Sequence, residues 1–222
     1  MTDASASNTL SDVFQHILTQ FSAASSAELG AVAFALAYIY LVGRQNVWCW
    51  ACGFISTALF TYVFWDVSLL FSMLLNAYYM VMAGYGYWQW TRGQGKQAVD
   101  EPKLQHASAL GIQQWSAQKQ SIVICSSALI GAVLVWLRLD AATSLSLALC
   151  LDAYVSVFSV VATYMVAHKI YHNWHYWIVI NSAAVVLYYS YELYFSSLLF
   201  VIYVGFSVHG LFTWRKALVQ NR

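Results

Sequence analysis

Charged residues are scarce in this sequence. Lys, Arg, Asp and Glu make up 9% of its 222 residues, whereas a soluble domain carries about 25%. Hydrophobic residues make up 61% and aromatic residues 17%. A chain with so little charge does not supply the polar surface of a soluble fold. The composition therefore excludes an ordinary soluble domain and predicts a membrane protein.

Proline and cysteine are also few. Pro102 is the single proline, and it lies in the polar stretch 91–119, so none of the apolar runs contains this helix-breaking residue. The four cysteines lie in or beside apolar runs. Cys49 and Cys52 have C-x-x-C spacing, but no second pair of ligands accompanies them, so packing is favoured over metal binding or redox chemistry. We expect neither a metal nor a cofactor.

Long apolar runs are what the sequence has instead. A run of about 17 to 25 residues is long enough to span a bilayer as a helix. Such runs lie near 27–43, 47–64, 67–90, 120–137, 141–167, 174–191 and 193–214. The predicted fold class is therefore an all-α membrane protein with seven transmembrane helices. Residues 1–26 show no signal peptide. Their apolar spacing predicts an amphipathic helix that lies on the periplasmic surface of the membrane.

The basic residues indicate an orientation. With the N-terminus outside, nine of the ten lysines and arginines fall on the cytoplasmic side, and Arg138 alone falls outside. Cytoplasmic loops carry an excess of Lys and Arg. We therefore expect the N-terminus outside and the C-terminus in the cytoplasm.

The sequence also contains an internal repeat. Displacing it by 126 positions without a gap aligns Tyr38 with Tyr164, Trp48 with Trp174, Tyr62 with Tyr188, Asp66 with Glu192, Gly84 with Gly210 and Trp88 with Trp214. This register predicts a first three-helix bundle (27–90), a cytoplasmic loop (91–119), a connecting helix (120–137), a second three-helix bundle (141–214) and a cytoplasmic tail (215–222). Such 3+1+3 repeats are parallel, and transporters with parallel repeats bind substrate near the midplane between the halves.

Three polar residues lie at membrane depth. Asp152, Asn181 and Asn76 are roughly 16, 10 and 14 Å into their spans at about 1.5 Å per residue. An aspartate at the bilayer centre costs about 2.5 to 3.5 kcal/mol on insertion scales, and such residues usually serve function. In the 126-residue register they pair with apolar or small residues. We expect a symmetric frame that holds an asymmetric site.

Helical spacing extends these residues into stripes. Ser156, Ser159 and Thr163 follow Asp152 on one helix face, where they either line a cavity or join helices. An interfacial belt is predicted for the tryptophans at span ends: Trp48, Trp88, Trp90 and Trp214. Trp174 either anchors in the same way or contacts ligand, and Trp177, one turn deeper on the Asn181 face, favours ligand contact. The predicted substrate site comprises Asn181, Trp177, Trp174, Asp152, Asn76, Tyr188, Ser156 and Ser159.

Other chemistries have little support. His168, His172 and His175 have helical spacing, but no carboxylate or cysteine accompanies them, so an interfacial cluster is favoured over a metal site. The sequence shows no nucleophile with a base, no paired carboxylates and no stripe that would bind nucleic acid. We therefore expect a protein that is not an enzyme and has no nucleic-acid partner.

Several runs resemble a known family. SVVATYMVAHKIYHNWHYWIVIN, with Asp152 upstream and YELYFSSLLFVIYVGFSVHGLFTW downstream, resembles the second half of the PnuC-type nicotinamide riboside transporters. YYMVMAGYGYWQW is similar to the end of their third helix, and the resemblance extends over about 30–216. It implies a 3+1+3 fold related to SWEET sugar transporters, with Trp174, Trp177 and Asn181 in the substrate site. The absence of proline from every span departs from the SWEET and PQ-loop pattern.

The resemblance also implies a biological role. It predicts uptake of nicotinamide riboside through the bacterial inner membrane by facilitated diffusion, followed by trapping by a cytoplasmic riboside kinase. The lipid bilayer is the expected surrounding, and a homo-oligomer such as a trimer is an expected form. The chemistry agrees, because aromatic faces and an amide suit a planar pyridinium with a carboxamide.

The sequence is also compatible with two other functional interpretations. The same frame suits a carrier of a different vitamin or sugar. Seven spans also occur in photoreceptors and signalling receptors, although the last span, 193–214, has no lysine for a retinal Schiff base.

Overall fold

The computed structural model describes residues 2–66, 70–92, 111–139 and 145–220. Within these ranges the chain forms eight α-helices. They are α1 (Thr2–Ala23), α2 (Ser26–Gly43), α3 (Cys49–Asp66), α4 (Leu70–Thr91), α5 (Ala117–Arg138), α6 (Leu147–Ala167), α7 (Asn173–Ser190) and α8 (Tyr194–Gln220). Helices α2 to α8 occupy the positions of the seven apolar runs, with ends that differ by up to six residues.

Serine side chains determine where three helices begin. Ser25 Oγ accepts a hydrogen bond from the Glu28 backbone N–H at 3.1 Å before α2, and Ser146 Oγ accepts one from Leu149 at the same distance before α6. Ser116 does the same for Lys119 at 3.3 Å before α5. A capping side chain satisfies a backbone donor that the first helical turn leaves without a partner. Helix α6 therefore begins at Leu147. The apolar run alone had predicted a start near residue 141.

The helices are apolar enough for a membrane. In the described ranges, α2, α5, α6 and α8 are each long and apolar enough to cross a bilayer, and α3 contains a shorter apolar stretch, Cys49–Val63. Helix α5 exposes large apolar side chains, among them Ile122, Leu129 and Trp136. Such an apolar surface suits lipid rather than water.

Helix α1 lies against the start of α8. Gln20 Nε2 donates to the Glu192 carbonyl at 2.8 Å, and Gln20 Oε1 accepts from the Phe195 N–H at 2.9 Å. Away from this contact, α1 exposes Phe14 and Leu18. A helix with one docked face and one exposed apolar face has the character of an interfacial helix.

The remaining helices form two bundles. Helix α3 packs between α2 and α4, helix α7 packs between α6 and α8, and α5 packs on α6. The bundles meet where α2 contacts α8 and where α4 contacts α6. Exchanging α2 with α6, α3 with α7 and α4 with α8 turns one of these contacts into the other. The contact pattern is therefore that of two equivalent bundles.

Equivalent residues in the two bundles are 124 positions apart. Helices α2 and α6 end at Gly43 and Ala167, and α3 and α7 begin at Cys49 and Asn173. In the turns between them, Gln45 and Lys169 have positive φ angles of 56° and 50°. The Gln45 N–H donates to the Val42 carbonyl at 2.9 Å, and the Lys169 N–H donates to the Val166 carbonyl at 3.0 Å.

The predicted 126-residue register is therefore wrong. It arose because tryptophans and glycines recur two residues apart in the first half, as Trp48 and Trp50, Gly84 and Gly86, and Trp88 and Trp90. Each pair offers a match in both registers, and only the contacts distinguish them. The true counterparts of Trp174, Gly210 and Trp214 are Trp50, Gly86 and Trp90.

Four buried tryptophans show the symmetry directly. The rings of Trp50 and Trp90 meet edge to face at 5.4 Å and 87°, and those of Trp174 and Trp214 meet with the same two values. Trp90 and Trp214 are 6.3 Å apart across the bundles. Each also donates its Nε1–H to the opposite bundle, Trp90 to Val166 at 3.3 Å and Trp214 to Val42 at 3.1 Å.

We call these four residues the tryptophan layer. All four are at most 2% exposed. The interfacial belt predicted for Trp90 and Trp214 is therefore wrong, and so is the alternative that Trp174 is an interfacial anchor. Trp48 and Trp88 are about half exposed. The layer joins the ends of both bundles on the side of the α2–α3 and α6–α7 turns.

Candidate functional site

A cavity of about 290 Å³ lies between the two bundles. Its walls come from α2, α3 and α4 of one bundle and from α6, α7 and α8 of the other. Trp50 and Trp174 of the tryptophan layer line one end, while Asn76, Tyr188 and Phe200 belong to helix levels farther from the layer. This size falls at the lower end of the roughly 300–1,000 Å³ typical of small-molecule sites.

The lining of the cavity is mostly apolar, and it includes some polar groups but no formal charge. Of the described residues that line it, none is Asp, Glu, Lys, Arg or His. Its polar groups are amides, hydroxyls and indoles: Tyr38, Trp50, Ser56, Thr57, Asn76, Tyr79, Ser159, Thr163, Trp174, Trp177, Asn181, Tyr188 and Tyr203. Such a site offers hydrogen bonds and aromatic faces. An anionic phosphate would find no charge partner here, and a buried unpaired charge is very costly.

Six of the eight predicted site residues line this cavity. They are Asn181, Trp177, Trp174, Asn76, Tyr188 and Ser159.

Asp152 and Ser156 are not part of the lining. The Asp152 side chain is exposed, and Ser156 is half-buried. Because α6 begins at Leu147, Asp152 is the sixth residue of its helix and lies roughly 8 Å from its start at about 1.5 Å per residue. The depth predicted from the apolar run was about twice as large.

Asn181 is held by a short chain of hydrogen bonds. Its Nδ2 donates to Ser207 Oγ at 3.2 Å, and Ser207 Oγ donates to the Tyr203 carbonyl at 2.7 Å. Asn181 is 2% exposed. Within the described chain, its Oδ1 accepts no hydrogen bond. The carboxamide is thus fixed in the cavity wall with an acceptor available to a ligand.

A polar wall runs along α4 and α6. Tyr78 on α4 donates its hydroxyl to the Val160 carbonyl on α6 at 3.0 Å, which joins the two helices. The Tyr79 hydroxyl lies near the Ser159 side chain. Thr163 Oγ1 donates to the Ser159 carbonyl at 2.8 Å. Hydroxyl and amide groups on one side of the cavity come from Asn76, Tyr79, Ser159 and Thr163.

The opposite side of the cavity is less polar. In the 124-residue register, Asn76 corresponds to Phe200, Ser159 to Ala35, and Asn181 to Thr57. Thr57 Oγ1 donates to the Gly53 carbonyl of its own helix at 2.8 Å, so it is already bonded. The frame repeats between the bundles, and the polar groups do not.

Sequence reasoning missed several lining residues. Trp50 was hidden by its neighbour Trp48 in the wrong register, and Tyr38 was taken as part of the repeated frame. Thr163 lies on the polar stripe of α6, and Tyr79 follows Asn76 by three residues, so helical spacing was a usable signal for both. Thr57 and Tyr203 gave none, because a single hydroxyl on an apolar helix is common.

A buried lysine lies beside the tryptophan layer. Lys169, in the α6–α7 turn, is 1% exposed. Its Nζ donates to Gln45 Oε1 at 2.7 Å and lies 4.7 Å from the Trp90 ring centroid. Gln45 is its counterpart in the other bundle. Burial lowers the pKa of Lys169 to about 7, from an ordinary value of 10.5, because the charged form loses its hydration.

This pKa predicts a pH dependence of stability. Between about 7 and 10.5, the unfolded chain binds a proton at Lys169 that the folded chain does not, so stability rises with pH across this window. The apparent Tm in detergent should therefore increase from pH 7 to about pH 9.5. Lys169→Met should flatten that slope because the titrating group is gone, whereas Lys119→Met, at an exposed position, should retain it. A slope unchanged in Lys169→Met would show that another group causes it.

The three histidines with helical spacing, His168, His172 and His175, do not assemble a metal site with other described residues. His168 Nε2 lies 3.0 Å from the Tyr85 hydroxyl, and the rings of His172 and His175 are 6.0 Å apart. Among the residues that the structure describes, no group of three or more His, Cys, Asp or Glu side chains is placed to hold a metal ion.

A comparison with known proteins now places the chain. The model of the family described as "Nicotinamide mononucleotide transporter" matches residues 25–216. The chain belongs to this family. It is thus a multi-pass membrane protein of the PnuC family, whose members are transporters rather than enzymes.

Individual relatives in this family differ in substrate. The riboflavin/roseoflavin transporter RibM of Streptomyces davaonensis is 29% identical over 186 residues, covering 84% of this chain and 80% of the relative. The nicotinamide riboside transporter PnuC of Escherichia coli is 24% identical over 200 residues, covering 84% and 83%. That of Neisseria mucosa is 26% identical over 205 residues, covering 88% and 73%.

A solved structure shares the fold. The crystal structure of the vitamin B3 transporter PnuC superposes with a TM-score of 0.67 at 20% identity, and the match covers 95% of this chain and 91% of that one. The similarity shows a common helical architecture for this transporter and that protein.

Proposed function

We propose that this transporter carries nicotinamide riboside. The observation that carries the proposal is the uncharged, aromatic-walled cavity in which Asn181 presents a fixed amide. Nicotinamide riboside is a planar pyridinium cation with a carboxamide and a ribose. Aromatic faces attract a desolvated cation by about 2 kcal/mol, and the Asn181 Oδ1 is placed to accept from the carboxamide NH₂.

The polar wall suits the ribose. Asn76, Tyr79 and Ser159 lie together along α4 and α6. Amide and hydroxyl groups both donate and accept, as the ribose hydroxyls require. In this arrangement, Trp177 and Trp174 lie against the pyridinium, and Tyr188 contributes to the wall farther from the tryptophan layer. Asp152 has no contact with ligand in this proposal.

The riboside suits this cavity better than its phosphate. A nucleotide phosphate carries about two negative charges near neutral pH, and the described lining offers no cation to pair with them. Lys169 lies beside the tryptophan layer and is not part of the lining. The mononucleotide is therefore a poorer substrate in this proposal, although the family carries its name.

The transport cycle follows from the two bundles. Helices α2 to α8 cross the bacterial inner membrane in a 3+1+3 parallel arrangement of the SWEET type, with α5 as the connecting helix. The N-terminus lies outside and the C-terminus in the cytoplasm, which places the tryptophan layer at the cytoplasmic end. Rocking of the bundles alternates access to the cavity, and substrate moves by facilitated diffusion. A cytoplasmic riboside kinase then traps it, and a trimer is the proposed assembly.

A flavin is the competing substrate class, because one relative carries riboflavin. A cavity of about 290 Å³ suits a single ring with a ribose better than three fused rings. The decisive comparison is therefore between these two ligands in one protein.

Ligand titration of the purified protein in detergent tests the proposal. Calorimetry should give a Kd for nicotinamide riboside at least about tenfold lower than for nicotinamide mononucleotide, riboflavin or thiamine, a difference of about 1.4 kcal/mol. Tighter binding of riboflavin would transfer the assignment to the flavins, and tighter binding of the mononucleotide would overturn the charge argument. Uptake into proteoliposomes should be unaffected by a protonophore, and inhibition would show ion coupling instead of facilitated diffusion.

A further inference from the structure

Trp177 has an unusual counterpart in the first bundle. The equivalent residue on α3 is Gly53, so the first bundle has no side chain where the second has an indole. A Cβ added at Gly53 would lie 2.9 Å from Cδ2 and 3.2 Å from Cε2 of Tyr38. The space next to Gly53 is therefore filled by the Tyr38 ring, which comes from the neighbouring helix α2.

The reverse exchange occurs in the second bundle. Tyr38 corresponds to Ala162 on α6. Ala162 is fully buried, in a core cluster against which Trp177 packs. Each bundle thus has one aromatic residue and one small residue at these two equivalent positions. The ring comes from α2 in the first bundle and from α7 in the second.

This exchange places two rings at related positions. Because the bundles are equivalent, the space beside Gly53 corresponds to the space that the Trp177 side chain occupies. Tyr38 and Trp177 both line the cavity. We infer that Tyr38 is the second aromatic wall of the substrate site, facing Trp177 from the other bundle, and that the planar ring of the substrate lies between them. The inference rests on the proposed function, because it assigns a role in binding the substrate ring.

Two further observations support this role for Tyr38. The rings of Trp50 and Tyr38 meet edge to face, with their centroids 6.1 Å apart and their planes at 63°, so a member of the tryptophan layer supports the Tyr38 ring. The Tyr38 hydroxyl has no hydrogen-bond partner in the described chain, which leaves it for a ligand. A ring with a supported face and a polar tip suits a planar heteroaromatic with polar substituents. Gly53 is then small because Tyr38 needs its space.

Substitutions at two positions test Tyr38. Tyr38→Leu should raise the Kd for nicotinamide riboside at least about tenfold, because the ring face is lost. Tyr38→Phe keeps the ring and loses only the hydroxyl, so it should raise the Kd less than Tyr38→Leu does. Gly53→Ala leaves Tyr38 in the sequence but displaces its ring, so it should also raise the Kd. Tyr62→Leu, an exposed tyrosine on α3, is the control and should not change binding. Thermal unfolding of each variant confirms the fold.

The outcomes separate this inference from the proposed function. Wild-type protein that does not bind nicotinamide riboside but binds riboflavin overturns the proposed substrate, and the same variants are then measured with riboflavin. A folded Tyr38→Leu with wild-type affinity for the bound ligand overturns the role of Tyr38. Equal losses in Tyr38→Phe and Tyr38→Leu assign the effect to the hydroxyl and overturn the aromatic wall. If Tyr38→Leu does not fold, Gly53→Ala decides, and wild-type affinity in that variant overturns the inference.

Discussion

Alanine at Gly86 is expected to lower transport more than tenfold, whereas alanine at Gly84 should leave it unchanged. A Cβ at Gly86 would overlap the indole of Trp50, while a Cβ at Gly84 meets nothing within 4 Å. Trp50 is fixed edge to face on Trp90, which itself is hydrogen-bonded to α6. The indole therefore has little room to retreat, and overpacking a rigid core typically costs about 1–3 kcal/mol.

The second bundle supplies an independent copy of this test. A Cβ at Gly210 would overlap the Trp174 indole, and a Cβ at Gly205 on the same helix meets nothing within 4 Å. Gly210→Ala should therefore reproduce the defect of Gly86→Ala, and Gly205→Ala should resemble Gly84→Ala. In the two controls, alanine improves helix propensity by up to about 1 kcal/mol, so their stability should be equal or slightly higher.

The measurements are the apparent Tm in detergent and substrate uptake into proteoliposomes. We expect Tm to fall by several degrees in Gly86→Ala and Gly210→Ala, together with the loss of uptake. A defect in Gly84→Ala as large as that in Gly86→Ala would contradict the 124-residue register and restore the pairing of Gly84 with Gly210.

Much of the fold was predictable from the sequence, because long apolar runs dictate helices wherever the surroundings are apolar. The helix starts were less accurate. Ser146 defines the start of α6 through one hydrogen bond, and hydropathy does not register a capping bond. Because of that error, Asp152 was predicted to lie about twice as far from the start of its helix as it does.

The register could not be chosen from residue types alone. Trp48 and Trp50 are the same residue type two positions apart, but Trp48 is exposed and Trp50 is buried against Trp90. Only packing distinguishes them. The same holds for Tyr38, whose ring fills the space beside Gly53 on another helix.

The residues that line the cavity were predicted more reliably on α7 than on α6. A carboxamide in an apolar helix is a strong signal because it needs a hydrogen-bond partner, and Asn181 has one in Ser207. Serines are a weaker signal, since they bond to their own helix as readily as they line a cavity. Ser159 lines the cavity and Ser156 does not, although both belong to one stripe.

Replacing Asn181 by alanine is expected to raise the Kd for nicotinamide riboside about 10- to 100-fold. The substitution removes a buried acceptor and leaves the substrate carboxamide without a partner, which costs about 1–3 kcal/mol. Ser207→Ala should have a smaller effect, within about tenfold, because it loosens the Asn181 carboxamide without removing it. Calorimetric titration of each folded variant measures both.

Two control variants make this comparison specific. Thr57→Ala changes the counterpart of Asn181 in the first bundle, and its hydroxyl is already bonded to the Gly53 carbonyl, so affinity should stay within about threefold. Ser197→Ala removes another serine of α8 that bonds to the Val185 carbonyl of α7 and lies outside the cavity lining, so binding should be unchanged. Equal losses in Thr57→Ala and Asn181→Ala would mean that both bundles hold the substrate alike. A folded Asn181→Ala with wild-type affinity would show that Asn181 does not bind the substrate.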